Sequence, residues 1–222
     1  MSERSQEPSA IDPSGPSPTV VTIPPGATYA SGFLDRAAQE VLREAVRAIV
    51  AQAPFYRPCM PKTGKPFSVV MTNCGPLGWV SDRDGYRYQD RHPQTAEPWP
   101  PMPDILLDTW ERLAAYPHPP EACLINFYEG NARLGLHIDQ DEDDFEAPVV
   151  SLSLGDTAVF RIGGETRKGP TRSIKLKSGD AIVLGGPARR AYHGVDRILP
   201  GSSDLLKSGR LNLTMRRVTR PD

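Results

Sequence analysis

The stretch RLGLHIDQDEDDF, residues 133–145, holds side chains whose types and spacing could do chemistry. Leu134, Leu136 and Ile138 alternate with Gly135, His137 and Asp139, the period of two of a half-buried strand, so His137 and Asp139 share one face. A metal site needs a third ligand from elsewhere, and the chain has four histidines. His92 and His118 sit in Pro-rich segments, which leaves His193, in AYHGV, as the natural third member. Two imidazoles and one carboxylate occupy one face of an octahedron and leave positions open for reactants, an arrangement suited to iron(II). Taken alone, His-x-Asp reads more simply as a surface histidine beside an aspartate.

A later stretch changes that balance. RLNLTMR, residues 210–216, puts Arg210, Asn212, Thr214 and Arg216 on one strand face and Leu211, Leu213 and Met215 on the other. With the apolar face in a core, two guanidiniums line the opposite surface; inside a barrel they require anionic partners, and a dicarboxylate satisfies both. The competing reading is an exposed edge strand with solvated arginines. Directly after Asp139, the run Asp141, Glu142, Asp143 and Asp144 concentrates negative charge beside the metal candidates.

The elements that must position these residues follow from the hydrophobic pattern. Leu34, Ala38, Val41, Leu42, Ala45, Val46 and Ile49 predict an amphipathic helix over 33–53, and a second helix is expected over 103–116 with Pro103 at its first position. From residue 122 the pattern changes to short alternating runs, CLINFYE, RLGLHID, VVSLSLG, AVFRIGG, SIKLKSGDAIVLGG, AYHGVD and RLNLTMRRV, which predict an antiparallel sandwich or barrel. Helices first and strands after make an α+β protein. Residues 1–27, rich in Pro, Ser and Gly, read as a mobile tail before a single domain over 28–222. Asp84 and Gly85 predict a hairpin turn. The 222 residues have a formal net charge of -1, which excludes a global basic field. No apolar run approaches a membrane span, which argues against a membrane partner. Cys59, Cys74 and Cys123 are widely spaced, and the chain is expected in a reducing cytoplasm, as a monomer.

MTNCGPLGW (71–79), DGYRYQ (84–89), INFYEGNARLGLHIDQDE (125–142), the GG of RIGGETR (161–167), YHG (192–194) and RLNLTMR (210–216) together resemble the AlkB-type Fe(II)- and 2-oxoglutarate-dependent dioxygenases, specifically their bacterial DNA-repair branch. The motifs span about residues 65 to 218. The resemblance implies a double-stranded β-helix, the jelly roll, with supporting helices and an N-terminal nucleotide-recognition lid at about residues 65–92. His137, Asp139 and His193 match iron ligands. Asn126, Tyr128, Arg210, Asn212 and Arg216 match positions that hold 2-oxoglutarate, Arg210 at its distal carboxylate and Arg216 near the metal. Trp79, Tyr86, Tyr88, Asp141, Glu142 and Arg167 match substrate-side positions. Phe127 departs from relatives that carry a basic residue there.

The implied activity is oxidative demethylation of N-alkylated bases such as 1-methyladenine and 3-methylcytosine in DNA, mainly single-stranded and by extension RNA, with release of succinate, CO2 and formaldehyde. Such bases are cationic, which gives the acidic run a purpose: Asp141 can accept from an exocyclic amine while its charge favours the cation. Asp143 and Asp144 read more simply as a solvated acidic loop. Trp79, Tyr86 and Tyr88 offer stacking faces for a base taken out of the helix, or alternatively the core of a hairpin. Arg83, Arg87 and Arg91, and then Arg161, Arg167, Lys168, Arg172, Lys175 and Lys177, form local basic stretches for a phosphate backbone. The alternatives are a related dioxygenase acting on RNA or protein, and a metal-binding jelly-roll module without catalysis.

Overall fold

The computed structural model describes residues 19–22 and 26–221. Most of the expected tail therefore lies outside the described residues. Its Thr19–Thr22 segment, however, is a strand, β1, paired antiparallel with β2 (Ala27–Ser31), so the sheet begins within the stretch read as tail.

Helix α1 spans Arg36–Gln52. It starts where the Asp35 carboxylate accepts the Ala38 amide at 2.8 Å, an N-cap that satisfies one of the free donors of the first turn. It stops before Pro54, and Ala38, Leu42, Val46 and Ile49 form its buried stripe. Helix α2 spans Asp104–Leu113 with Pro103 as N-cap, one position before the expected one. Pro103 has ψ 147°, an extended conformation that leads into the helix and does not belong to it.

The remaining strands are β3 (Val70–Cys74), β4 (Gly78–Asp82), β5 (Gly85–Gln89), β6 (Ala122–Tyr128), β7 (Leu134–His137), β8 (Val149–Gly155), β9 (Thr157–Ile162), β10 (Arg172–Leu176), β11 (Ala181–Leu184), β12 (His193–Leu199) and β13 (Arg210–Arg216). With β1 and β2, five of these form a seven-stranded sheet in the order β1-β2-β11-β8-β13-β6-β3, and four form a second sheet, β10-β9-β12-β7. The expected strands are present, and the two sheets face each other as a jelly roll.

Strand alternation divides the apolar residues into two layers. Cys123, Ile125, Leu152, Leu154, Leu211, Leu213 and Met215 point outwards from the larger sheet and pack with Leu42, Ile49, Leu106 and Trp110 of the helices. Leu124, Tyr128, Val149, Ile182 and Leu184 point inwards and meet Phe160, Ile162, Val195 and Ile198 of the smaller sheet. The helices thus fix the large sheet from behind, and its other face is free to line a cavity.

β4 and β5 form a separate two-stranded hairpin. Its turn is Arg83–Asp84, one residue earlier than expected, with Asp82 opposite Gly85. Gly85 has φ +124°, a conformation that L side chains rarely adopt, and this places glycine at the end of the turn. Of the segment expected as a lid, β3 instead pairs with β6 and extends the large sheet.

Candidate metal and cosubstrate site

β7 and β12 are antiparallel neighbours, and His137 lies directly opposite His193. The ring centroids are 4.6 Å apart. Asp139 follows β7 immediately, with Oδ1 3.7 Å from His137 Nε2 and Oδ2 3.7 Å from His193 Nε2. One ligand atom from each residue lies within 4.8 Å of the others. The strand pairing brings together residues 56 positions apart in sequence (193 minus 137). Gly194 permits this approach: a Cβ there would stand 2.5 Å from the Leu134 carbonyl oxygen of β7.

Each imidazole is oriented from behind. His137 Nδ1 lies 2.9 Å from the Gly135 carbonyl and His193 Nδ1 lies 3.0 Å from the Ala191 carbonyl. A carbonyl only accepts, so Nδ1 carries the proton and Nε2 keeps its lone pair towards Asp139, the tautomer a metal requires. Burial, reinforced by His137, pushes the His193 pKa down to about 4 and keeps that ring neutral. Burial works to raise the Asp139 carboxyl, but the surrounding cations, Arg216 foremost, outweigh it and hold the group below the usual carboxylate range.

The 210–216 strand is central, flanked by β6 and β8, which excludes the exposed-edge reading. On its inner face Arg210 stands opposite Tyr128 and Asn212 opposite Asn126. Arg210 is fully buried. Its Nη2 donates to Ser153 Oγ at 2.7 Å, while burial brings its pKa down to about 10. Asn212 donates to Ser151 Oγ and the Leu152 carbonyl. Arg216 Nη2 is 3.0 Å from Asp139 Oδ1.

The donor set fits a divalent metal and a dicarboxylate. Asp139 Oδ2, Asn126 Oδ1, Tyr128 OH, Arg210 Nε and both Nε and Nη1 of Arg216 are buried without a hydrogen-bond partner. Buried polar atoms are rarely left so, and here the Asp139 carboxylate faces the two Nε2 lone pairs while the donors Tyr128 OH, Arg210 Nε and the Arg216 nitrogens stand on β6 and β13. A cavity of about 680 Å³ opens over all of these residues but Arg210, lined by Asn126, Tyr128, His137, Asp139, His193, Asn212 and Arg216. Arg210 is outside that lining, at the side of Tyr128.

The substrate-side residues separate into two groups. Trp79, Tyr86, Asp141 and Arg167 reach the cavity mouth, with Trp79 and Tyr86 stacked at 5.5 Å and 17°. Trp79 Nε1 donates to Asp141 Oδ2 at 2.7 Å, and Asp141 is exposed. Glu142 also borders the cavity, yet it is buried and committed to protein partners: Arg189 Nη2 at 2.8 Å, Arg216 Nε at 3.4 Å and the Tyr88 hydroxyl. Tyr88 is thereby turned into the protein, where burial raises its pKa well above the ordinary value.

Other expectations are corrected. Asp144 is buried rather than solvated; it accepts from the Tyr116 hydroxyl at 2.6 Å and from the Glu146 amide. Arg87 is not free for phosphate, because both its terminal nitrogens pair with Asp82. The sequence reading missed Arg189, which lies in a 3-10 turn at Gly186–Arg190 and donates to the backbone carbonyls of Asp139 and Ala147. Its one sequence signal is the position of Arg189-Arg190 just ahead of His193.

The family model described as 2OG-Fe(II) oxygenase superfamily matches residues 26–216. The chain is 58% identical over 200 residues to an alpha-ketoglutarate-dependent dioxygenase AlkB homolog of Caulobacter vibrioides, covering 89% of this chain and 90% of that protein. It is 42% identical over 195 residues to the alpha-ketoglutarate-dependent dioxygenase AlkB of Escherichia coli, covering 86% and 89%. Among solved structures, OsALKBH1 superposes with TM-score 0.75 at 30% identity, covering 90% of this chain and 100% of that one. A Pseudomonas putida prolyl-4-hydroxylase, at TM-score 0.52 and 16% identity, shares the fold. The chain belongs to the 2OG-Fe(II) oxygenase superfamily, among its AlkB-type dioxygenases, and uses Fe(II) and 2-oxoglutarate.

Proposed function

We propose that this AlkB-type dioxygenase removes methyl groups from ring nitrogens of damaged bases in DNA, single strands foremost. The observation that carries the reading is the His137, Asp139, His193 cluster facing the unpaired donors of β6 and β13 across one cavity. In this reading iron(II) and 2-oxoglutarate together supply the oxidation of an N-methyl group by dioxygen. The balance is N-methyl base, O2 and 2-oxoglutarate giving unmethylated base, formaldehyde, succinate and CO2. The rest of the work is binding and orientation by this chain.

His137, Asp139 and His193 hold the metal, with Gly135 and Ala191 fixing the two rings. Arg210 takes the distal carboxylate of 2-oxoglutarate as a charge-assisted pair, with Tyr128 and Asn126 beside it and Asn212 shaping the wall. Arg216 stands at the metal end through Asp139. Trp79 and Tyr86 present aromatic faces at the mouth for an extruded base, and Asp141 accepts from its exocyclic amine. Lys65, Arg133 and Arg167 line the same mouth where the phosphate backbone must pass. Glu142 and Tyr88 are assigned no contact with the base.

We infer further that the enzyme works as a monomer in a reducing cytoplasm. Cys74 and Cys123 stand directly opposite each other on β3 and β6 as free thiols, which accords with that compartment. Among the described residues no helix is long and apolar enough to cross a membrane. The test is anaerobic loading with Fe(II), followed by succinate and formaldehyde measurement with DNA and RNA oligonucleotides carrying 1-methyladenine or 3-methylcytosine. Stoichiometric formaldehyde with DNA is the expected result. Turnover confined to RNA, or succinate that no methylated oligonucleotide increases, overturns the substrate assignment.

A further inference from the structure

Glu142 occupies an unusual position for a residue beside a substrate pocket. It is 4% exposed and touches three groups from three distant parts of the chain. The Tyr88 hydroxyl of β5 donates to Oε1, Arg189 Nη2 lies 2.8 Å from Oε2, and Arg216 Nε lies 3.4 Å from Oε1. Arg216 in turn holds Asp139 Oδ1 at 3.0 Å, and Arg189 Nη1 donates to the Asp139 carbonyl at 2.7 Å. Two buried guanidiniums therefore converge on the carboxylate-bearing residue that would bind the metal. Only one Asp139 oxygen is taken; Oδ2 remains unpaired, facing His193.

We propose that Glu142 is a positioning residue for the metal: anchored by Arg189, its charge draws the Arg216 guanidinium aside and so keeps Asp139 Oδ2 free to coordinate. A guanidinium is a planar fork that pairs with both oxygens of a carboxylate when nothing competes. Arg216 already contacts Oδ1, its Nη1 has no partner, and its Nε faces Glu142 Oε1 at 3.4 Å as an ion pair without a hydrogen bond. With Glu142 neutral, Asp139 becomes the remaining carboxylate in contact with Arg216, and a two-pronged pair would occupy the oxygen the metal needs. The Tyr88 hydroxyl seats the β4–β5 hairpin on the same carboxylate, and Trp79, the cross-strand partner of Tyr88, seats it on Asp141. The hairpin is thus anchored on two consecutive acidic residues, one facing the mouth and one serving the metal. This role rests on His137, Asp139 and His193 being metal ligands.

The experiment is Mn(II) binding followed by electron paramagnetic resonance on the purified protein without 2-oxoglutarate or nucleic acid. Glu142→Gln should weaken Mn(II) binding by about tenfold, equivalent to about 1.4 kcal/mol. The Arg216→Leu background removes the competitor, so adding Glu142→Gln there should change affinity by less than about twofold, a non-additivity that a general packing defect would not produce. Glu142→Gln binding Mn(II) as the wild type does, or the tenfold loss persisting without Arg216, overturns the proposal. Should Glu142→Gln fail to fold, Glu142→Asp, which keeps the charge but withdraws it by one methylene, carries the same comparison. Because the readout is metal affinity, a protein that shows this pattern but demethylates nothing loses the proposed function and keeps the role of Glu142.

Discussion

Replacing Asp141 with Asn tests whether the exposed carboxylate at the mouth recognises a cationic base. Trp79 Nε1 holds Oδ2 at 2.7 Å, which leaves Oδ1 for the exocyclic amine of the base. An asparagine at 141 must turn its oxygen to the indole N–H, and its amide nitrogen then meets the base amine donor to donor. Asp141→Asn therefore loses both the charge and the acceptor. In a Trp79→Phe background the asparagine is free to rotate, the acceptor returns, and the charge contribution stands alone. Two unit charges about 4 Å apart are worth roughly 1 kcal/mol in water and roughly 4 kcal/mol at an effective dielectric of about 20. Asp141 is exposed but would be covered by a stacked base, so a share near 1.4 kcal/mol, about tenfold, is expected. The assay is initial formaldehyde release from single-stranded oligonucleotides at fixed ionic strength, since phosphate binding varies steeply with salt. Relative to Trp79→Phe alone, the double variant should lose about tenfold more on 1-methyladenine and 3-methylcytosine than on neutral 1-methylguanine. An equal fall on all three, relative to Trp79→Phe alone, would show that the Asp141 charge takes no part in recognising the base.

Three further outcomes follow from the site. His137→Ala, Asp139→Ala and His193→Ala should each abolish succinate and formaldehyde release, and repair by any of them without metal would refute the ligand assignment. Arg210→Ala should raise the KM for 2-oxoglutarate by at least tenfold, on the order of 1.4 kcal/mol, while circular dichroism shows a folded protein; an unchanged KM, or a protein that does not fold, would assign Arg210 to structure instead. Gly194→Ala would set a methyl group 2.5 Å from the Leu134 carbonyl oxygen and push β7 from β12, so Mn(II) affinity should fall although no ligand is altered; wild-type affinity would mean that the two strands yield without separating the histidines.

The parts legible in the sequence are those written by local periodicity. The two faces of 210–216 followed from alternation, and the structure puts Leu211, Leu213 and Met215 against the helices with Arg210 and Arg216 inside. His137 and Asp139 were legible for the same reason, and His193 by elimination, since His92 and His118 sit in Pro-rich segments; the structure has His92 buried with its Nε2 on the Pro54 carbonyl. Glu142 was read together with Asp141 because the two are adjacent; it does border the cavity, but its partners Tyr88, Arg189 and Arg216 lie far away in sequence. Beyond the end of β7 alternation no longer applies: Asp141 is exposed and Glu142 buried, and Glu142 finds a cation 47 residues away in Arg189. Asp144 was misread for the same reason: its partner Tyr116 is 28 residues distant. A buried ion pair is a property of packing between remote segments, which periodicity does not encode.

The unpartnered polar atoms of the cavity also bear on how long the protein survives. Each buried group without a hydrogen bond costs the fold about 1–3 kcal/mol, a considerable share of a stability of about 5–15 kcal/mol. Tyr128 OH and Arg210 Nε, both able to donate to a carboxylate, are such atoms on two inner strands of the large sheet. A small molecule that satisfies them acts as a folding ligand, adding about 2.7 kcal/mol when present at about 100 times its dissociation constant. Resistance to proteolysis should therefore track the supply of 2-oxoglutarate, and the amount of enzyme in a cell would register its metabolic state before any damaged base is encountered.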